Sequence, residues 1–170
     1  MNSNSRFMVA VHILSGLALV KQFKKDEWIT SERIAWSVNT NPVVVRRILA
    51  KLGKAGLVCS APGAAGGSKL AVDSRKTTLL EIYQAVEENI PAFFQKHSPN
   101  EACPIGANIF SALDELNDRI FSSIQKELKE VTLSYIASQI QAHAKRSRQT
   151  KTGKKYKSHK PLLPHTLYVN

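Results

Sequence analysis

Apolar side chains recur every three or four residues over most of this chain, the period of an amphipathic helix. After Ser5, a capping residue, Phe7, Ala10, Val11, Leu14, Leu17 and Ala18 predict a first helix to about Lys21. Polar Lys24, Lys25, Asp26 and Glu27 follow as a loop. Thr30 or Ser31 then caps a short helix through Val38, with Ile34, Ala35 and Val38 turned inward. Asn39-Thr40-Asn41 is turn chemistry, and Pro42 suits the first position of a third helix, where an N–H has no partner anyway. That helix runs to about Ala55 and stops at Gly56, a natural C-terminal residue.

Beyond Gly56 the helical period lapses. Residues 57–60 and 68–72 are short β candidates flanking Ala61-Pro62-Gly63-Ala64-Ala65-Gly66-Gly67, whose glycines permit the positive φ angles of a tight turn. Two helices joined by a short turn, then a glycine, then a hairpin is the order of a winged helix-turn-helix. Thr78 and Glu81 form a capping box for a fourth helix carrying Leu79, Ile82, Tyr83 and Val86. After Pro91 the chain reads as loop to Pro104, with one turn of helix around Phe93 and Phe94.

From Gly106 a long helix carries Ile109, Leu113, Leu116, Ile120, Ile124, Leu128 and Val131, continued by Tyr135 or Ile136 and then Ile140. This stripe is too long for a domain of this size to bury comfortably, so it resembles a dimerisation seam over residues 106–140. The alternative is that it packs back across its own domain. From His143 the periodicity dissolves into Lys145, Arg146, Arg148, Lys151, Lys154, Lys155, Lys157 and Lys160, which read as a flexible basic tail. The fold class expected is mainly α: a winged helix-turn-helix with a small β-hairpin wing and a long C-terminal dimerisation helix. Its divisions are a DNA-binding domain at 1–90, a loop and long helix at 91–142, and the tail at 143–170.

Charge sharpens this picture. The net charge of +11 is segregated: residues 1–76 hold twelve Lys/Arg against four Asp/Glu, residues 77–143 four against nine, and residues 144–170 eight against none. Basic ends around an acidic middle suit a polyanion partner for the ends alone, and equally a generic solubilising surface. Residues 7–20, the longest apolar stretch, are broken by His12, Ser15 and Gly16 and lack a signal peptide's basic start and cleavage site. A cytoplasmic protein without a membrane span is expected.

The third helix carries the candidate chemistry. At 100° per residue, Val45, Ile48, Leu49 and Leu52 fall on one face, and Val43, Arg47, Ala50 and Lys54 on the other, with Arg46 and Lys51 at its edges. One side anchors to a core while the other offers small residues and cations to a groove. Arginine grips guanine O6 and N7 with two hydrogen bonds, whereas lysine more often meets phosphate. Val43, Arg46 and Arg47 are therefore the expected sequence readers, with Thr40 and Asn41 as further contacts to phosphate or base. The alternative is an ordinary solvated helix face. Lys69 and the turn at 63–67 belong beside a minor groove or the phosphate backbone, unless the glycines serve hairpin geometry alone.

Several of these segments resemble the Rrf-two family of winged-helix regulators, in particular its cysteine-poor, YwnA-like branch. They are Thr30-Ser31-Glu32-Arg33-Ile34-Ala35, Asn41-Pro42-Val43-Val44-Val45-Arg46-Arg47-Ile48-Leu49, Leu57-Val58 and Gly66-Gly67 followed by Leu70-Ala71. Leu79-Leu80-Glu81-Ile82-Tyr83, Ala85-Val86-Glu87 and Cys103-Pro104-Ile105-Gly106 extend the likeness, which spans roughly residues 5–136. It implies a homodimer whose long helices cross and whose recognition helices enter successive major grooves of double-stranded DNA. Some relatives hold an iron–sulfur cluster through three cysteines between the fourth helix and the dimerisation helix. Here Cys103 stands alone in that stretch, so no cluster or other cofactor is expected. Pro62 occupies the wing position where some relatives carry arginine.

Cys103 precedes a helix, whose N-terminal dipole favours thiolate, and Lys96 and His97 are near in sequence. It is either a thiol sensor or a small residue packed under the loop. Cys59, within a wing strand, is expected in the core. The histidines have no metal-cage spacing, and nothing resembles a nucleophile–base pair or paired catalytic carboxylates. The expected function is sequence-specific DNA binding by a homodimeric repressor. The competing expectation is a winged-helix protein–protein adaptor, and an enzyme is excluded.

Overall fold

The computed structural model describes residues 3–24, 27–63, 65–87 and 99–150. Its helices are α1 (Ser3–Phe23), α2 (Ser31–Val38), α3 (Pro42–Lys54), α4 (Leu79–Val86), α5 (Pro104–Glu130) and α6 (Leu133–Thr150). Strands β1 (Val58–Ala61) and β2 (Gly67–Leu70) form the hairpin between α3 and α4. The turn expected around Phe93 and Phe94, the flank of Lys96 and His97, and the tail from 151 onward lie outside the described residues.

Local chemistry sets each boundary. Thr30 Oγ1 accepts from the Arg33 N–H at 3.3 Å to open α2, and Asn39 closes it in the left-handed region at φ 57°. Asn41 Oδ1 accepts from the Val43 N–H at 2.8 Å and Pro42 takes the first turn of α3. Gly56, at φ +72°, turns the chain out of that helix toward β1. The expected capping box is present: Thr78 N–H donates to Glu81 Oε2 at 2.7 Å, and Glu81 N–H to Thr78 Oγ1 at 3.3 Å.

The core lies between α1 and everything folded around it. Ala10, Ile13, Leu14 and Leu17 meet Ile34 and Ala35 of α2, Val45, Ile48 and Leu52 of α3, and Ile82 and Val86 of α4. Helix α1 is long and apolar enough to cross a membrane by length and composition, yet these apolar residues make up the centre of the domain.

The wing is antiparallel, pairing Val58 with Leu70, Cys59 with Lys69, Ser60 with Ser68 and Ala61 with Gly67. Its free edge is closed by Ile29, which exchanges backbone hydrogen bonds with Ser68 at 3.1 and 2.8 Å. This contact explains Gly67, and the turn itself explains Gly66. A Cβ on Gly67 would stand 2.6 Å from Ile29 O, and one on Gly66 2.2 Å from Ala61 O. Both are required by close backbone approach, whatever lies outside the turn.

Two expectations about the C-terminal half need correction. The helix beginning near residue 106 starts at Pro104 and is not continuous to 140: it breaks at Val131 and Thr132 and resumes as α6. The cause is tertiary pairing. Leu79 N–H donates to Val131 O at 2.9 Å and Leu133 N–H to Thr77 O at 2.8 Å, making a bridge between Thr78 and Thr132 that a helix cannot accommodate. Thr132 Oγ1 then accepts from Tyr135 N–H at 3.2 Å and caps the new helix. The second correction is that the backbone stays helical to Thr150, past the residue 143 where a tail was expected. Helix α6 packs on α1 through Leu133 and Ala137, both buried.

Candidate nucleic-acid interface

The expected division of α3 is realised. Val45, Ile48, Leu49 and Leu52 are buried, while Val43, Arg46, Arg47, Ala50 and Lys54 are exposed. Val43, in the first turn, keeps 48% of its surface. Arg47 and Lys54 point outward and have no side-chain partner among the described residues. Between this face, the first turn of α2 and the wing runs a groove lined by Ser31, Glu32, Ala50, Ser60, Pro62 and Gly63.

Other expected contacts are differently employed. Lys51 turns away from the exposed face: its Nζ donates to Val86 O at 3.2 Å, satisfying a carbonyl at the end of α4. It ties α3 to α4. Lys69 places its Nζ 4.4 Å from the centre of the Trp28 ring, so its charge sits on an aromatic face at the wing's base. Asn41 spends its side-chain oxygen on the helix cap, and Thr40 is half-buried in the turn with its N–H bonded to Ala35 O at 3.0 Å. Arg46 is joined to α2: Nη2 donates to Glu32 Oε1 at 2.6 Å and Nε to Ser31 Oγ at 3.1 Å. Glu32 and Ser31 are absent from the expected site because they lie far from Arg46 in sequence, and only the helix-turn-helix fold makes them neighbours.

Both cysteines depart from packed positions. Cys59, expected in the core, is exposed on the wing and pairs across the hairpin with Lys69. Cys103 is also exposed, at the N-cap of α5, so it is not packed beneath a loop. The backbone N–H groups of Gly106 and Ile105 hold its thiol below the ordinary thiol value. A three-thiolate cluster does not fit this chain, which has two cysteines in all, one on the wing and one at the head of α5. Among the described residues no three His, Cys, Asp or Glu side chains converge as a metal site.

A helix-turn-helix with a hairpin wing, its second helix anchored by one face and cationic on the other, defines a DNA-binding transcriptional regulator. The chain belongs to the Rrf2 family, described as "Iron-dependent Transcriptional regulator", which matches residues 3–139. It is 40% identical over 137 residues to YwnA of Bacillus subtilis (strain 168), a protein named as a candidate HTH-type transcriptional regulator. That alignment covers 81% of this chain and 98% of YwnA. Among solved structures, a candidate DNA-binding protein is 38% identical with a TM-score of 0.58, covering 77% of this chain and 97% of that one. CymR (YrzC), the global cysteine regulator of B. subtilis, shares the fold at 23% identity and a TM-score of 0.58, over 78% of this chain and 93% of its own. The family and these relatives are regulators, not enzymes.

Proposed function

We propose that the protein works as a homodimer whose two α3 helices enter the major groove of a two-fold-symmetric operator, repressing transcription by occluding a promoter. The observation that carries the dimer is α5. None of its 27 residues is buried, although its apolar stripe runs almost its whole length. Ile109, Leu116 and Ile124 expose 37%, 43% and 44% of their surface. A second copy laid along the same stripe buries these side chains in the manner of a two-helix seam. The seam is assigned chiefly to α5, because Leu133 and Ala137 of α6 are already used against α1, although Tyr135 and Ile140 of α6 remain exposed.

Base reading is assigned to Val43, Arg46 and Arg47, and phosphate contact to Lys54. A cytoplasmic location goes with contact to the chromosome. A winged-helix adaptor would have no use for Arg47 and Lys54 on an exposed α3 face. The deciding experiment is footprinting on the protein's own upstream DNA as salt is raised, with Arg47→Ala as control. Regulation predicts protected half-sites about one or two helical turns apart. Equal affinity for random duplexes would leave only generic attraction between a basic protein and a polyanion.

A thiol response through Cys103 is a separate proposal, supported by the exposure of the thiol and the two backbone N–H groups near it. Peroxide should then weaken DNA binding by the wild type and leave Cys103→Ser unaffected. An equal response from both proteins excludes it.

A further inference from the structure

An arginine side chain carries five N–H donors in a planar fork with two usable edges, Nε with Nη2 and Nη1 with Nη2. In Arg46 the first edge is occupied. Nε donates to Ser31 Oγ at 3.1 Å and Nη2 to Glu32 Oε1 at 2.6 Å, while Ser31 Oγ donates to the same carboxylate oxygen at 3.1 Å. The three groups form a closed ring of hydrogen bonds. Its base is firm: Ser31 and Glu32 occupy the first turn of α2, capped by Thr30 and anchored by buried Ile34 and Ala35. The carboxyl of Glu32 is held below the usual carboxylate range by its own backbone N–H, then by Arg46 and Ser31, so the ring is charged at neutral pH. The second edge of the guanidinium, Nη1 with the other Nη2 hydrogen, has no partner among the described residues, in a side chain that remains 57% exposed.

We propose that Ser31 and Glu32 are positioning residues that fix Arg46 so that its second edge reads a guanine in the operator. The proposal rests on α3 being the DNA-reading helix. Two physical points favour base over phosphate for this arginine. Guanine O6 and N7 match a planar two-donor edge, and holding that edge in advance reduces the rotamer freedom lost on binding. A carboxylate beside the guanidinium also opposes phosphate, whereas Arg47 and Lys54 have no acid partner among the described residues. The carboxylate therefore commits Arg46 to base reading, while backbone attraction is left to Lys54.

The test starts by selecting preferred sites from randomised DNA duplexes with the full-length wild-type protein. Affinities are then measured for the selected duplex, its single-base variants and a random duplex. One guanine per half-site should be preferred over adenine by about tenfold by the wild type and by less than about twofold by Arg46→Ala. Glu32→Ala should reduce that preference to within about threefold, while its affinity for the random duplex is unchanged or higher. Glu32→Gln, which retains an acceptor oxygen, should fall between wild type and Glu32→Ala. Ser31→Ala should show a smaller loss in the same direction. Because Arg46 and Glu32 are exposed and Ser31 is only half-buried, thermal midpoints close to wild type are expected and confirm that the variants fold. Glu32→Ala binding every duplex more tightly with its guanine preference intact would overturn the proposal, leaving Glu32 as a mere counter-charge. Loss of the preference in Arg47→Ala but not in Arg46→Ala overturns it as well. A selection that enriches no sequence overturns the assignment of α3 as a reading helix, a result distinct from failure of the Arg46 arrangement.

Discussion

Helices α3 and α5 carry the same sequence device, apolar residues at spacings of three and four, and reach opposite environments. In α3, Val45, Ile48, Leu49 and Leu52 are buried by their own domain, and the other face is left to Arg47 and Lys54. In α5, a helix twice as long, no residue is buried, and it touches the rest of the chain mainly through α4. An amphipathic stripe thus states that a partner is required without saying which. For α3 the partners are α1, α2 and α4 within 170 residues; for α5 the stripe outlasts what one chain of this size wraps around. The difference separates a helix anchored within its own domain from the helix to which the pairing of two copies is assigned.

Charging the α5 stripe should have the largest effect. Ile109→Asp combined with Leu116→Asp should give a folded monomer by analytical ultracentrifugation and lower operator affinity by at least about a hundredfold, because two linked half-site contacts become one. A dimer that survives both changes would show that α5 is not the seam. The matching lesion in α3 should act within the domain instead. Leu52→Ala, at a fully buried position, should lower unfolding stability in urea by about 2–5 kcal/mol while leaving the folded protein dimeric.

Substitutions along α3 separate its exposed cations from the one that is tied down. Lys54→Ala should reduce the log–log salt slope of DNA binding by about 1, whereas Arg47→Ala should chiefly relax the sequence preference. Lys51→Ala should leave that slope nearly unchanged and cost about 1 kcal/mol of stability, since it leaves Val86 O without its donor. If Lys51 lowers the slope as much as Lys54, its turn toward α4 does not persist on DNA.

The smallest effect concerns the start of α5. Helix N–H groups stabilise the Cys103 thiolate, so its pKa is lowered and the reactive form persists to a lower pH than in an ordinary thiol. Alkylation of Cys103 followed by mass spectrometry should therefore fall to half its limiting rate at a lower pH than alkylation of an unstructured cysteine peptide. An equal or higher midpoint would mean the N–H groups do not act on the thiol in solution.

Much of the fold was legible because its signals are local. The caps at Thr30 and Thr78, the proline at the start of α3, Gly56 after it and the inward face of that helix depend on residues within a few positions of one another. What escaped depended on distant partners. Val131 and Thr132 lie inside a continuous helical pattern, and their extended backbone follows only from hydrogen bonds to Thr77 and Leu79. Helix α6 continues beyond residue 143 where apolar periodicity fades, with its earlier turns docked on α1. Cys59 looked like core because a small apolar residue in a strand usually is, but the hairpin register puts it beside Lys69 on an exposed surface.

The candidate site divides along the same line. Sequence by itself determined that Val43, Arg46, Arg47 and Lys54 share a helix whose other face is apolar, since angular position on a helix is fixed by spacing alone. Only the tertiary structure decided that Lys51 bonds to α4, that Lys69 lies over Trp28, and that Glu32 and Ser31 grip Arg46. The reason is one of range. A helical period places a residue on a face within a few positions, while the partner its charge finds is set by chain folding across many.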